Sequence, residues 1–234
     1  MKKKTLLLTL EFPPKGGGVA RYLKNFCSGF APDTLVVLAP AEEGSEVFDA
    51  SRPYPVLRAS LLYKKFRPAW IKMIAEASAA IKKYGIEKIV VSHALPAGEA
   101  ALILKFSRGI PYEVIVHGLD IRLPQGSRWK TFWLKLILHN AETIIANSEF
   151  TKAETIRLGI PSEKVIVRLP CLDPADYPIP SNEEVTRFKK ERAWECKKIL
   201  LTVGRLVRRK GQDAVIKAVA DMKERHPDLV YAIA

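Results

Sequence analysis

The chain has 234 residues, 48% of them hydrophobic, with a formal net charge of +13 and a pI near 9.7. That apolar content excludes a disordered or low-complexity polymer, and no apolar run reaches the length of about 18 needed to span a bilayer. The charge calls for an anionic partner, and phosphate groups, anionic lipid and nucleic acid all satisfy it.

The first element predicted is a strand over Lys4 to Leu10. Met1-Lys2-Lys3-Lys4 and the residues to Leu10 share the outline of a signal peptide, but the apolar stretch is short and runs into Glu11 and Pro13-Pro14. Directly after it comes Pro13-Pro14-Lys15-Gly16-Gly17-Gly18-Val19-Ala20. Consecutive glycines permit positive φ angles and let a ligand approach the backbone with no Cβ in the way. A helix opening near Val19 would aim its free N–H groups at the same place. The run is neither a Gly-x-Gly-x-x-Gly fingerprint nor a Walker A loop, which ends in Lys-Ser/Thr. A phosphate cradle and a plain tight turn both fit it.

Further strands are expected over Thr34 to Ala39, Lys88 to Ser92, Tyr112 to His117, Thr143 to Ala146 and Lys164 to Arg168. They are short, rich in Val, Ile and Leu and mostly not alternating, as parallel strands buried on both faces should be. Between them, Trp70, Met73, Ile74, Ala77, Ile81 and Tyr84 recur at helical spacing. Ser148 reads as the N-cap of a helix reaching Leu158, with Gly159 ending it. This alternation predicts an α/β fold, a doubly wound parallel sheet of Rossmann type.

His93 and His117 fall at the carboxyl ends of predicted strands, where doubly wound folds bind ligands. A satisfied structural histidine fits each position as well. Arg122 and Arg128, beside Asp120, fit either recognition of an anionic acceptor or a solvated surface. Trp129, Phe132, Trp133, Leu136 and Ile137 with Lys130 and Lys135 make an amphipathic basic stretch. It fits an ordinary helix packed on the sheet, the reading we prefer, or a helix lying on a membrane surface.

Pro170, Pro174, Pro178 and Pro180 mark a linker, after which Ser181-Asn182-Glu183-Glu184 carries a capping-box pattern. The apolar run Ile199 to Val203 then restarts the strand-loop-helix theme, with a second loop over Val203-Gly204-Arg205-Leu206-Val207-Arg208-Arg209-Lys210-Gly211. Cations clustered at the positive end of a helix dipole repel it unless an anion resides there. Charge-assisted hydrogen bonds to phosphate, about 1.5–3 kcal/mol each, are enough to reverse that penalty. A solvated basic loop is the alternative. Leu229 to Ala234 reads as one more strand. The residues after Lys197 fall short of the roughly 100–150 that a doubly wound domain uses. The expected organisation is therefore a domain over residues 1–178, a linker and connecting helix over 179–196, and an incomplete second Rossmann-like domain over 197–234. Cys27, Cys171 and Cys196 are odd in number and lack Cys-x-x-Cys spacing, which fits a reduced cytosolic protein with no structural zinc. No nucleic-acid-binding motif or stacking platform is evident, so no nucleic acid partner is expected.

Phe12 to Ala20, Val116-His117-Gly118-Leu119-Asp120, Ala146-Asn147-Ser148-Glu149-Phe150-Thr151 and Gly204 to Gly211 occur in that order. Together they resemble retaining glycosyltransferases of family 4, which have the two-Rossmann-domain GT-B fold, and the resemblance covers essentially the whole chain. It implies an enzyme that transfers a hexose from a nucleotide diphosphate sugar to a sugar, lipid-linked or polysaccharide acceptor. It also implies work without a metal or other cofactor, in the cytoplasm or peripherally at the inner face of the membrane. By position, Gly17 and Gly18 would lie against the donor diphosphate. Arg205 and Lys210 would clamp it and stabilise the departing nucleotide. His117 matches the family's active-site histidine near the transferred sugar, and His93, Arg122 and Arg128 are acceptor-side candidates. Two departures stand out. The family's glutamate pair near the donor has no counterpart here, and Pro170-Cys171-Leu172-Asp173 replaces a Pro-Asn-Gly-Val-Asp turn. This chain alone is therefore expected to have little or no transfer activity. A non-catalytic Rossmann module binding a nucleotide or an anionic partner is the alternative.

Overall fold

Leu6, Leu7 and Leu8 are all fully buried, although successive side chains of a strand point to opposite faces. Both faces of the sheet that holds them must therefore be covered. The computed structural model describes residues 3–172, 174 and 177–234. Met1, Lys2 and Asp173, which the sequence reading touched, lie outside them. The chain divides into two units, Met1–Asp173 and Pro174–Ala234.

In the first unit the strands are β1 (Thr5–Leu8), β2 (Leu35–Pro40), β3 (Val56–Ala59), β4 (Lys88–Val91), β5 (Tyr112–Val116), β6 (Thr143–Ala146) and β7 (Val165–Val167). They form a seven-stranded sheet in the order β3-β2-β1-β4-β5-β6-β7. Every pairing is parallel, with Leu7 opposite Val37 on one side and Val90 on the other. The helices are α1 (Gly18–Ser28), α2 (Ser45–Ala50), α3 (Ile71–Tyr84), α4 (Ala97–Arg108), α5 (Leu119–Arg122), α6 (Arg128–Asn140) and α7 (Glu149–Arg157).

Alternate residues of each strand sort into two cores. Leu6, Leu8, Ile89, Val91, Val114 and Val116 pack with Met73 and Ala77 of α3, Ala100 and Leu104 of α4, and Leu134 and Ile137 of α6. On the opposite face, Leu7, Leu35, Val37, Val90 and Ile115 pack with Tyr22, Leu23 and Cys27 of α1. Fully burying one such aliphatic side chain contributes about 1.5–3 kcal/mol, so the sheet centre is the most stable part of this unit. The chain builds outward from β1 through β2 to β3, then returns to β4 on the other side of β1. That reversal is the Rossmann-type switch point, and the crevice it opens faces the carboxyl ends of β1 and β4.

One strand, β3, was not expected. Its sequence Val56-Leu57-Arg58-Ala59 is short and interrupted by an arginine, and its residues are only half buried because it is the sheet edge. Strand ends also fall earlier than read. β1 stops at Leu8, β4 at Val91 and β5 at Val116, so His93 and His117 stand in the turns just past them. The capping signals hold: the Ser148 hydroxyl accepts from the Thr151 N–H at 3.1 Å. Ser181 and Glu184 form a reciprocal capping box, at 3.2 and 2.7 Å.

The second unit contains α8 (Asn182–Glu191), β8 (Lys198–Thr202), α9 (Gln212–Met222) and β9 (Leu229–Ile233). β8 and β9 pair in parallel, with Leu200 opposite Tyr231. β8 is exposed along most of its length, with Leu201 63% exposed, while β9 is mostly half-buried.

Candidate active site

The glycine loop crosses the switch crevice from β1 into α1. Gly17 is the N-cap residue at φ +148°, ψ 158°, a conformation open essentially to glycine alone. It offers no side-chain cap, and the first turn of α1 carries no acidic residue. The N–H groups of Gly18, Val19 and Ala20 therefore face outward without a helical partner, beside the positive end of the dipole. A Cβ added at Gly18 would meet nothing within 4 Å. Such an end binds an anion readily.

A chain of short contacts runs from this loop across the crevice. Thr9 Oγ1 donates to the Glu11 carbonyl at 2.9 Å and accepts from the Glu11 N–H at 3.0 Å. With its hydrogen so committed, Thr9 accepts from Ser92 Oγ at 2.7 Å. Ser92 in turn has only acceptor capacity left for His93 Nδ1, 3.0 Å away, so a neutral His93 carries its hydrogen on Nδ1 and leaves Nε2 as acceptor. The His93 ring lies 5.2 Å from that of His117, and the Tyr22 ring meets His117 edge-on at 5.4 Å. Tyr22 is itself anchored by its hydroxyl, which donates to the Arg168 carbonyl at 3.1 Å.

His117 is the most perturbed group here. Burial pushes its imidazole down to about 4, His93 adds repulsion, and a backbone hydrogen bond with Ser92 works the other way. At neutral pH the ring is uncharged, and its Nε2 is buried without a partner. The His117 backbone N–H donates to Asp120 Oδ1 at 2.8 Å, while Asp120 Oδ2 is buried and unpartnered. Burial raises the Asp120 carboxyl against that hydrogen bond. Two buried polar atoms without a partner, on residues three apart in the chain, are rare in a folded protein and mark a site for polar contact. Gly118, between them, takes φ +91°, and a Cβ there would come within 3.3 Å of Thr151 Oγ1.

A cavity of about 590 Å³ opens at this point, lined by His117, Gly118, Arg122, Asn147, Ser148 and Thr151 among others. Arg122, the last residue of α5, is on its wall. Arg128, at the start of α6, is exposed and not among the lining residues. The sequence reading did not single out Tyr22, Ser92 or Thr9 as site residues. Tyr22 stands one helical turn after Gly18, the one signal that could have marked it.

Arg205 and Lys210 belong to the second unit, in the turn between β8 and α9, and both are exposed. The turn is held from within: Lys210 N–H donates to the Val207 carbonyl at 2.8 Å, and the buried Gln212 side chain donates to the Arg205 carbonyl at 3.1 Å. Lys210 Cε lies 3.8 Å from where a Gly204 Cβ would stand. Three consecutive cations, Arg208 to Lys210, thus lead straight into the amino end of α9. Among the described residues, no group of three or more His, Cys, Asp or Glu side chains could hold a metal ion.

Two curated proteins resemble the chain along most of its length. One is the GDP-mannose-dependent alpha-(1-6)-phosphatidylinositol monomannoside mannosyltransferase of Mycolicibacterium smegmatis, 25% identical over 235 residues, 97% of this chain. The other is the GDP-mannose-dependent monoacylated alpha-(1-6)-phosphatidylinositol monomannoside mannosyltransferase of Corynebacterium glutamicum, 27% identical over 233 residues, also 97% of this chain. The chain spans 59% of the length of each. Among solved structures, Anabaena Alr3699/HepE in complex with UDP and glucose superposes with a TM-score of 0.79 at 18% identity, over 99% of this chain and 60% of that one. A glycosyltransferase from Rickettsia africae superposes with a TM-score of 0.68 at 18% identity, over 100% of this chain and 60% of that one. These likenesses agree with the GT-B type of fold. The family model for Glycosyl transferases group 1 matches residues 184–234. That for Glycosyltransferase Family 4 matches residues 16–176, well over half of the sequence, including Gly17, Gly18, His93 and His117. On that match, the chain belongs to Glycosyltransferase Family 4.

Proposed function

We propose that the protein is the donor- and acceptor-handling part of a retaining hexosyltransferase that takes its sugar from a nucleotide diphosphate. The observation that carries this reading is the neutral His117 just past the carboxyl end of β5, which lines the cavity and whose buried Nε2 has no hydrogen-bond partner. An uncharged imidazole there accepts a hydrogen bond from a sugar hydroxyl without placing a second positive charge beside a forming oxocarbenium ion. Gly17 and Gly18 would receive the diphosphate on the amino end of α1. Arg205 and Lys210 would stabilise the charge of the departing nucleotide, which is electrostatic leaving-group catalysis and asks for no metal or other cofactor. The similar Anabaena structure holds UDP and glucose, in keeping with such a donor.

Transfer is proposed for the whole protein. The 234-residue chain spans 59% of its relatives' length, and by itself it is expected to bind nucleotide diphosphate without measurable turnover. For the acceptor, the exposed Trp129, Phe132 and Leu123, at 67%, 56% and 73%, stand among Arg122, Arg128 and Lys130. They favour a lipid-linked acceptor met at an anionic membrane surface, with the protein peripheral to the cytoplasmic face. The mycobacterial and corynebacterial relatives are named for phosphatidylinositol mannosides, an acceptor class of that kind.

Titration calorimetry with UDP and GDP tests the donor assignment. Arg205→Ala and Lys210→Ala are each expected to weaken binding by about 1.5–3 kcal/mol. Unchanged affinity in both variants would remove the clamp. Binding that depends on both residues but supports no transfer in the whole protein would favour the non-catalytic module instead.

A further inference from the structure

A run of glycines has no side chains with which to fix its own shape, and it loses more conformational freedom on ordering than any other sequence. The glycine loop is nonetheless held from one side. Arg58 of the edge strand β3 makes four hydrogen bonds, one of them to that loop: Nε and Nη2 donate to the two carboxylate oxygens of Asp49 at 2.9 and 2.8 Å, Nη1 donates to the Pro40 carbonyl at 3.1 Å, and Nη2 also donates to the Pro13 carbonyl. The guanidinium lies 5.6 Å from the centre of the Phe12 ring. Phe12, 1% exposed, abuts Phe48 of α2 edge-on at 5.9 Å. The Arg58 and Asp49 side chains are only 12% and 17% exposed. Farther along the loop, Lys15 pairs with Glu42 at 3.5 Å.

We infer that Arg58, fixed by Asp49, is a positioning residue that sets the Pro13–Gly18 loop in the shape that presents Gly17 and Gly18 to the donor diphosphate. The inference rests on the donor-loop reading above. Its physical basis is directional. A largely buried ion pair is poor evidence of stabilisation, because apolar packing of the same volume does as well. Only the planar guanidinium fork, however, can reach a carboxylate and two backbone carbonyls at once. Those carbonyls belong to the end of β2 and to the first residues of the loop. The fork thus ties loop, strand and α2 into one frame and leaves Gly16 and Gly18 with open space around them, while Glu11 Oε2 lies 3.9 Å from where a Gly17 Cβ would stand.

The test combines backbone hydrogen exchange of the 234-residue chain with UDP and GDP titration, in Arg58→Met, Arg58→Lys and Asp49→Asn. The expected result for Arg58→Met is exchange about tenfold faster at residues 15–19, with β1 and β4 amides unchanged, and nucleotide affinity about tenfold weaker. Arg58→Lys keeps the charge without the fork and should restore neither fully. Asp49→Asn, which strands no lone carboxylate, carries the test should Arg58→Met fail to fold. Loop exchange unchanged in folded variants overturns the positioning role. Exchange that rises equally in β1 and β4 also overturns it, since that is a loss of global stability. Faster loop exchange with unchanged nucleotide binding overturns the donor-loop reading instead, and the positioning role with it.

Discussion

His117 titrates far from its ordinary range because the fold buries it next to a second histidine, and that has a consequence for stability. A histidine whose folded pKa is lowered from 6.5 to about 4 binds its proton more weakly in the folded than in the unfolded chain. Its neutral form therefore supports the fold fully above the unfolded pKa, and that support is lost as pH falls from 6.5 towards 4, by about 3 kcal/mol at most. Asp120 opposes this, since its raised pKa makes the folded state the better proton binder above 3.8. Replacing the imidazole isolates the first effect. In His117→Asn, the fall in melting temperature between pH 6.5 and 4 should be shallower than in the wild type, by calorimetry across that range. An identical slope would show that the ring does not carry the buried, neutral state assigned to it. His117 and His93 were legible as candidates because both follow apolar strand runs. Their 5.2 Å approach was not, because β4 and β5 become neighbours only through the sheet order.

At the scale of elements, the site depends on how closely α4 and α6 pack under the turns that carry the two histidines. Gly98 is the point of closest approach: a Cβ there would stand 2.7 Å from Ile137 Cγ2 and 3.8 Å from the His93 carbonyl. Helix propensity alone favours Gly98→Ala by about 1 kcal/mol. Overpacking a rigid core costs about 1–3 kcal/mol, and the branched Cγ2 of Ile137, fully buried, cannot swing away as a chain end could. The substitution should therefore destabilise by about 1–2 kcal/mol in urea denaturation. Combined with Ile137→Ala, it should cost less than the sum of the two single losses. Equal or greater stability in Gly98→Ala alone would contradict the packing described. The helices were readable from periodicity and caps, as at Ser148 and Ser181. The contact between α4 and α6 was not, because Gly98 looks like any helical glycine until Ile137 is placed against it. Likewise β3, with its arginine and half-buried pattern, carries no strand signal of its own. It pairs because β2 offers it an open edge.

For the whole molecule, the net charge of +13 and the exposed aromatics at the start of α6 make a membrane-surface prediction. Each cation near an anionic surface contributes about 1 kcal/mol, screened within a Debye length of about 8–10 Å. The chain should co-sediment with vesicles containing phosphatidylglycerol and be released by about 0.5 M salt. Trp129→Ala with Phe132→Ala should weaken that binding about tenfold. Equal sedimentation of wild type and double variant would return those residues to the role of ordinary surface. The sequence reading set a helix packed on the sheet against a membrane-surface helix. α6 buries Leu134, Ile137 and Leu138 and leaves Trp129 and Phe132 exposed, so one helix shows packing on one side and open aromatics on the other. By itself, the sequence determined the parallel α/β class, the two glycine-bearing loops, the helix caps and the ordered motifs of the family, because each depends on residues close together in the chain. Only the tertiary structure decided that Thr9, Ser92, His93, His117 and Tyr22 form one connected site and that Arg58 reaches under the glycine loop. Apart from the adjacent Ser92 and His93, those contacts join residues dozens of positions apart, and burial and pairing across the sheet, not local spacing, bring them together.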